Sequence, residues 1–144
     1  MNERLDAKDA ERALGDHAYE KGLAIHDTYG PKLNWDSLLN MLDNRECVRY
    51  PCKIKFDSSQ LQRGEFAYPH PLGERPEEGF IIHVHEHFES RKNDLPALVL
   101  YQLVAVNYGK FASDADAERF GAAALGMEVD AYYHYVCRLA DDIS

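Results

Sequence analysis

Apolar residues follow three different rhythms along this chain, and each rhythm predicts a kind of element. Residues 95–109, LPALVLYQLVAVNYG, are apolar on almost every side and predict a helix buried all round. Pro96 is tolerated in its first turn, and Asn107 and Gly109 are natural terminators. One-sided helical spacing predicts amphipathic helices elsewhere. Ala10, Leu14, Ala18 and Ile25, with Leu23 and Ala24 nearby, mark one over residues 6–29, ended by Gly30-Pro31 and weakened by Gly15 and Gly22. Asn34 as N-cap, Asp36 in the first turn and Trp35, Leu38, Leu39 and Leu42 mark a second over residues 34–42. Beyond the central helix, Ser113 or Asp114 caps a helix holding Ala117, Phe120, Gly121, Ala124 and Leu125, and Gly126 stops it. Asp130 opens the last helix, with Tyr133, Val136, Cys137 and Ala140 toward the core.

Strict alternation predicts strands. Over residues 47–56, Val48, Tyr50, Cys52, Ile54 and Phe56 share one face, and Arg49, Pro51, Lys53 and Lys55 the other. Pro51 and the lysines place this strand at a sheet edge, where a lysine row keeps the edge solvated or offers a surface to an acidic partner. A shorter strand is expected over residues 65–68. The strongest pattern is residues 80–88, FIIHVHEHF, with Phe80, Ile82, Val84 and Phe88 on one face and Ile81, His83, His85 and His87 on the other. Two helices, three strands and three helices make an α+β fold: a small, mostly antiparallel or mixed sheet of about three strands, packed against a central helix within one domain, 1–144.

Composition narrows the function classes. Sixteen Lys and Arg against twenty-five Asp and Glu give a net charge of −9, so no nucleic-acid or anionic-membrane footprint is expected. The N-terminal residues lack the apolar core of a signal peptide and no run is apolar enough to span a bilayer, so the expectation is a cytoplasmic acidic protein without a membrane. Three cysteines without C-x-x-C spacing indicate neither a disulfide framework nor a zinc knuckle.

The sharpest chemical feature is the row His83, His85 and His87. On a strand, i and i+2 imidazoles point the same way with Cα atoms roughly 6.5–7 Å apart, so two of them plus a ligand from elsewhere could hold zinc or another divalent transition metal. Candidates for that further ligand are His70, Asp114, Asp116 and His134. The alternative is a solvated sheet face in which each ring bonds water or a neighbour. Both readings stand at this point: no cofactor, or a metal held by the histidine strand, with or without hydrolytic activity.

Residues 61–127 also resemble the zincins, small metallopeptidase domains in which a strand leads directly into a zinc-binding helix. Leu61, Gly64, Phe66 and Ala67, then Gly-Phe-Ile-Ile-x-Val at 79–84, the helix at 95–109 and Asp114-Ala115-Asp116-Ala117-Glu118-Arg119-Phe120-Gly121 follow the zincin order of strand, edge strand, zinc helix and third-ligand helix. The resemblance sets Tyr101 and Ala105 at the two imidazole positions and Gln102 at that of the general base, so the His-Glu-x-x-His residues are absent. A tyrosine and a neutral amide cannot activate a metal-bound water. The resemblance therefore implies a non-catalytic, zincin-like domain that has kept a cleft for a protein or peptide, with Tyr101, Gln102, Asp114 and Asp116 as its candidate residues. It further implies that the strand at 80–88 borders that cleft, where a peptide would add as an extra strand. Tyr101 and Gln102 should each find a hydrogen-bond partner or reach water. The aromatic cluster Tyr132, Tyr133, His134 and Tyr135 suggests a homodimer or a stable partner complex through the last helix or the 80–88 strand.

Overall fold

A helix with no polar side has to be enclosed, and the rest of the chain is arranged to enclose it. The structure, a computed structural model, describes residues 7–144. In chain order it contains α1 (Ala7–Tyr29), α2 (Trp35–Leu42), β1 (Cys52–Phe56), β2 (Ala67–Pro71), β3 (Phe80–Val84), α3 (Leu95–Tyr108), α4 (Asp114–Leu125) and α5 (Val129–Asp141), with short 3-10 turns between them. The fold is α+β, as the sequence order implies. Asp6, where the helical pattern begins, lies outside the described residues.

Eleven of the fourteen residues of α3 are buried, so its packing leaves almost no face for solvent. The sheet covers one side, and α4 and α5 cover another. Strand order is β1-β3-β2, with β3 parallel to β1 and antiparallel to β2. Register puts Ala67, Ile82 and Val84 on the face toward the core, while Lys53, Lys55, Tyr68, His70, Ile81 and His83 share the outer face. No helix among the described residues is long and apolar enough to cross a membrane.

Polar contacts fix the loops to this core. Asn34 caps α2 by accepting the Ser37 N–H at 2.8 Å. Near the end of α3, buried Asn107 donates to the Cys47 carbonyl at 3.0 Å and accepts the Arg49 N–H at 2.8 Å. The segment before β1 is thereby pinned to the helix, which is why residues 47–51 stay outside the strand and it begins only at Cys52. On α4, Ser113 and Asp116 form a reciprocal capping box, and Gly126 ends the helix in the left-handed conformation, φ 68°.

Three strand boundaries differ from the alternation pattern. β2 runs from Ala67 through Pro71, beyond the expected 65–68, because its two prolines turn their nitrogens away from β3. β3 stops at Val84, and Glu86–Phe88 form a 3-10 turn. Three bonds draw the chain out of the sheet there: His85 Nδ1 accepts the His87 N–H, and the Glu86 carboxylate accepts both the Ser58 N–H and hydroxyl. β3 also lies between β1 and β2, so the expectation that it borders a cleft open to an added strand is corrected: both its edges are taken.

Helix faces differ too. The buried stripe of α1 is Gly15, Ala18, Gly22 and Ile25, rotated from the stripe that Ala10 and Leu14 suggested. On α5 the buried residues are Tyr132, Val136 and Leu139, whereas Tyr133 is 46% exposed. The Tyr132 hydroxyl donates to the Ala97 carbonyl at 2.7 Å, satisfying the one polar atom of a fully buried ring. An interface through the last helix would therefore rest on Tyr133 and not on Tyr132.

Glycine makes the contact between α1 and α4 close. A Cβ on Gly22 would lie 2.5 Å from the Phe120 carbonyl oxygen and 2.8 Å from the Ala123 Cβ, and neither can move alone. At Gly15 the nearest atom would be the far end of the Arg119 side chain, at 2.8 Å. Helix propensity alone favours alanine over glycine by about 1 kcal/mol. Gly22→Ala is nonetheless expected to destabilise the protein by about 1–3 kcal/mol through overpacking, whereas Gly15→Ala should be near neutral or stabilising. Urea unfolding of both variants checks this pair of signs.

Candidate functional site

The helix α3 presents consecutive residues to different surroundings, about 100° apart, and this separates the candidate residues into distinct places. Gln102, only 9% exposed, lines a groove of about 1060 Å³ bounded by the second half of α3, the first half of α1, β2 and the start of β3. Ala105 lines the same groove one turn later. Its walls are mostly apolar: Leu14 from α1, Pro69 from β2, and Tyr50 and Phe80, whose rings tilt against each other at 6.2 Å. Charge is supplied by Glu11, Arg49 and Lys110, with the Arg49 guanidinium 5.5 Å from the Tyr50 ring centre.

Tyr108 also lines the groove and meets His17 of α1 through its hydroxyl. Burial, above all, pushes that hydroxyl up to about 12. The groove thus offers an amide, a neutral phenol and aromatic walls. This chemistry suits hydrogen bonding to a peptide group and contact with an apolar side chain; the amide of Gln102 cannot act as a general base.

Tyr101 points elsewhere. Its ring lies edge-on to Phe66, with centroids 5.9 Å apart, and its hydroxyl lies beside Asp114. Burial first, and then the Asp114 and Glu118 carboxylates, hold the phenol well above the usual tyrosine range. Burial likewise raises Glu118, helped by Asp114 and Asp130. Asp116 belongs to neither place: it is 8% exposed and is occupied as the capping partner of Ser113. Of the four expected cleft residues, then, Tyr101 and Asp114 come together, Gln102 faces the groove, and Asp116 closes a helix end.

The three histidines also part company. His83 stays on the outer face of β3 but is 7% exposed, and its Nδ1 lies 2.8 Å from Nδ1 of His70 on β2. One ring must donate and the other accept, so a single proton lies between the two Nδ1 atoms. His85 and His87 leave the strand with the 3-10 turn; His87 Nε2 approaches the Asp142 carboxylate at 3.9 Å. No three or more His, Cys, Asp or Glu among the described residues are grouped to hold a metal ion.

Sequence reasoning missed the groove's walls. Ala10 and Leu14 read as core positions because their spacing is helical, yet they precede the close contact with α4 and face the groove instead. Tyr50 and Phe80 read as inward strand residues, and nothing in their spacing said that the sheet would leave them uncovered. The His70–His83 pair was open to sequence only as one choice among several further ligands.

Burial and the His70 ring lower the His83 pKa below its ordinary 6.5, and Lys55 adds to this while Asp57 opposes it. A depressed histidine is neutral when folded and takes up a proton more readily when unfolded. Its contribution is therefore present above about pH 6.5 and is lost as pH falls through the folded value. The unfolding midpoint should drop between about pH 7 and pH 5, and His83→Gln should flatten that slope. Urea titrations across this range measure both.

No protein-family model, curated protein or solved structure matches this chain, so the chemistry of the site is read from its own residues.

Proposed function

We propose that this chain is a non-catalytic α+β domain, zincin-like in its core, that binds a protein or peptide segment in the groove over Gln102 and Ala105. The observation carrying this reading is the groove itself: about 1060 Å³, mostly apolar walls, and the buried side-chain amide of Gln102. The resemblance puts a general base at position 102 and a metal-binding imidazole at position 105. An amide and a methyl group there leave space and hydrogen bonding without acid–base or metal chemistry.

A bound segment lies in the groove against Tyr50 and Phe80 and exchanges hydrogen bonds with Gln102, and it does not extend β3. The screen that tests this is selection of binders from a displayed random-peptide library. Peptides enriched on the wild type should bind with affinities of about 1–100 µM. Ala105 is exposed, so Ala105→Trp fills the groove with little effect on the fold and should weaken those peptides by about tenfold or more. No enriched peptide, or peptides indifferent to Ala105→Trp at unchanged melting temperature, would overturn the proposal.

A second reading, a metal-binding protein, has one observation in its favour: His83 has an imidazole partner at 2.8 Å, although that partner is His70 and not His85 or His87. Tetrahedral zinc usually takes three or four protein ligands, and the pair supplies two. Tag-free protein purified without chelator is expected to carry well below one equivalent of zinc, nickel or copper. About one equivalent by elemental analysis, lost on both His70→Ala and His83→Ala, would favour the metal instead.

A further inference from the structure

The two free edges of the sheet are built differently. Register with β3 and the flanking bonds set which backbone groups face outward. On β2, His85 N–H to Phe66 carbonyl and Leu72 N–H to Gly79 carbonyl fix the antiparallel ladder, so Tyr68 and His70 face β3 and Ala67, Pro69 and Pro71 face away. Two of those three outward residues have no N–H. An incoming strand would find one donor there, and the edge is closed to ordinary strand addition.

On β1 the alternation runs the other way round. Phe80 N–H to Pro51 carbonyl and Asp57 N–H to Val84 carbonyl place Pro51, Lys53, Lys55 and Asp57 toward β3. Cys52, Ile54 and Phe56 therefore present three N–H and three carbonyl groups outward, and no backbone bond among the described residues meets them. Beside this edge, on the outer face, stand the exposed side chains of Lys53 and Lys55. Lys53 has no ion pair among the described residues, and Lys55 is answered in part by Asp57.

Charge selects the occupant. A second copy pairing antiparallel along the whole strand would centre on Ile54 and set Lys53 of each chain directly opposite Lys55 of the other, and like charges so placed repel. An acidic strand reverses that sign at both positions. We propose that the outer edge of β1 is a docking edge for an extended acidic segment, carrying carboxylates at alternate positions opposite Lys53 and Lys55 and an apolar residue between them beside Ile54. The site is independent of the groove: it uses backbone groups of β1 and needs neither Gln102 nor Ala105.

The probe is an end-capped synthetic peptide alternating glutamate and valine, compared with its lysine–valine counterpart by amide hydrogen exchange and fluorescence anisotropy. In the free protein the Lys53 and Lys55 amides should exchange slowly and those of Cys52, Ile54 and Phe56 quickly. The acidic peptide should slow the Ile54 and Phe56 amides, and its binding should weaken by about tenfold between low salt and about 0.5 M salt. The lysine peptide should not bind wild type but should bind the Lys53→Glu/Lys55→Glu double variant. Ile54→Pro, which copies the device of β2, should abolish binding, and Ala105→Trp should leave it unchanged. Acidic-peptide binding that leaves the Ile54 and Phe56 amides fast, that survives the double charge reversal, or that is lost with Ala105→Trp would overturn the proposal. So would protection of Ile54 and Phe56 that rises with protein concentration alone, which would make the partner a second copy.

Discussion

Near-complete burial of α3 is the constraint on which the rest of the structure depends. Leu95, Leu98, Leu100 and Leu103 are fully buried, and they point in different directions around the helix. Each buried leucine is worth roughly 1.5–3 kcal/mol relative to exposure, so no side can be left open without loss. A three-stranded sheet cannot enclose a helix, because it covers one side only. The remaining sides need α4 and α5, and the loop that Asn107 holds. Asn107 is the exception that orders the enclosure: a buried amide with both of its hydrogen-bonding ends answered by one loop fixes that loop's path.

The groove follows from how α1 is engaged. Its buried residues begin at Gly15, and the close approach to α4 is made at Gly15, Ala18, Gly22 and Ile25. The preceding two turns have no buried residue. They extend past α4 and form one wall, with Leu14 facing Gln102, Tyr50 and Phe80 across the opening. A helix gripped along half its length by small residues leaves the other half available to bound a concavity, and this groove is a consequence of packing elsewhere.

Much of this was legible in the sequence, and the misses have physical causes. The α+β order, the central helix, the Asn34 cap and the Ser113 cap could be read because each rests on local chemistry. Strand ends could not. Alternation continues through His85 and His87, but Glu86 bonds to Ser58, twenty-eight residues away, and that contact is invisible to periodicity. Helix faces were misread where small residues carried the burial: Gly15 and Gly22 count against a helix by propensity, and here they are the reason it packs. Tyr132 and Tyr133 are equally aromatic, and only the Gly121 recess, where a Cβ would meet the Tyr132 ring at 2.2 Å, decides which is inside.

The candidate cleft residues show the same limit at closer range. Tyr101 and Gln102 are adjacent in sequence, and a motif-based reading treats them as one site. On a helix they diverge by about 100°, and each direction meets a different environment. Tyr101 is carried to Phe66 and the carboxylates of α4, where its phenol stays protonated. Gln102 is carried to an apolar groove, which it lines with an uncharged amide. A glutamate at that position would have to lose solvation or draw in a cation, and burial would raise its pKa. The neutral amide avoids this, and it leaves the groove's hydrogen bonding at position 102 unaffected by pH, in contrast to the histidine pair on the far face of the sheet.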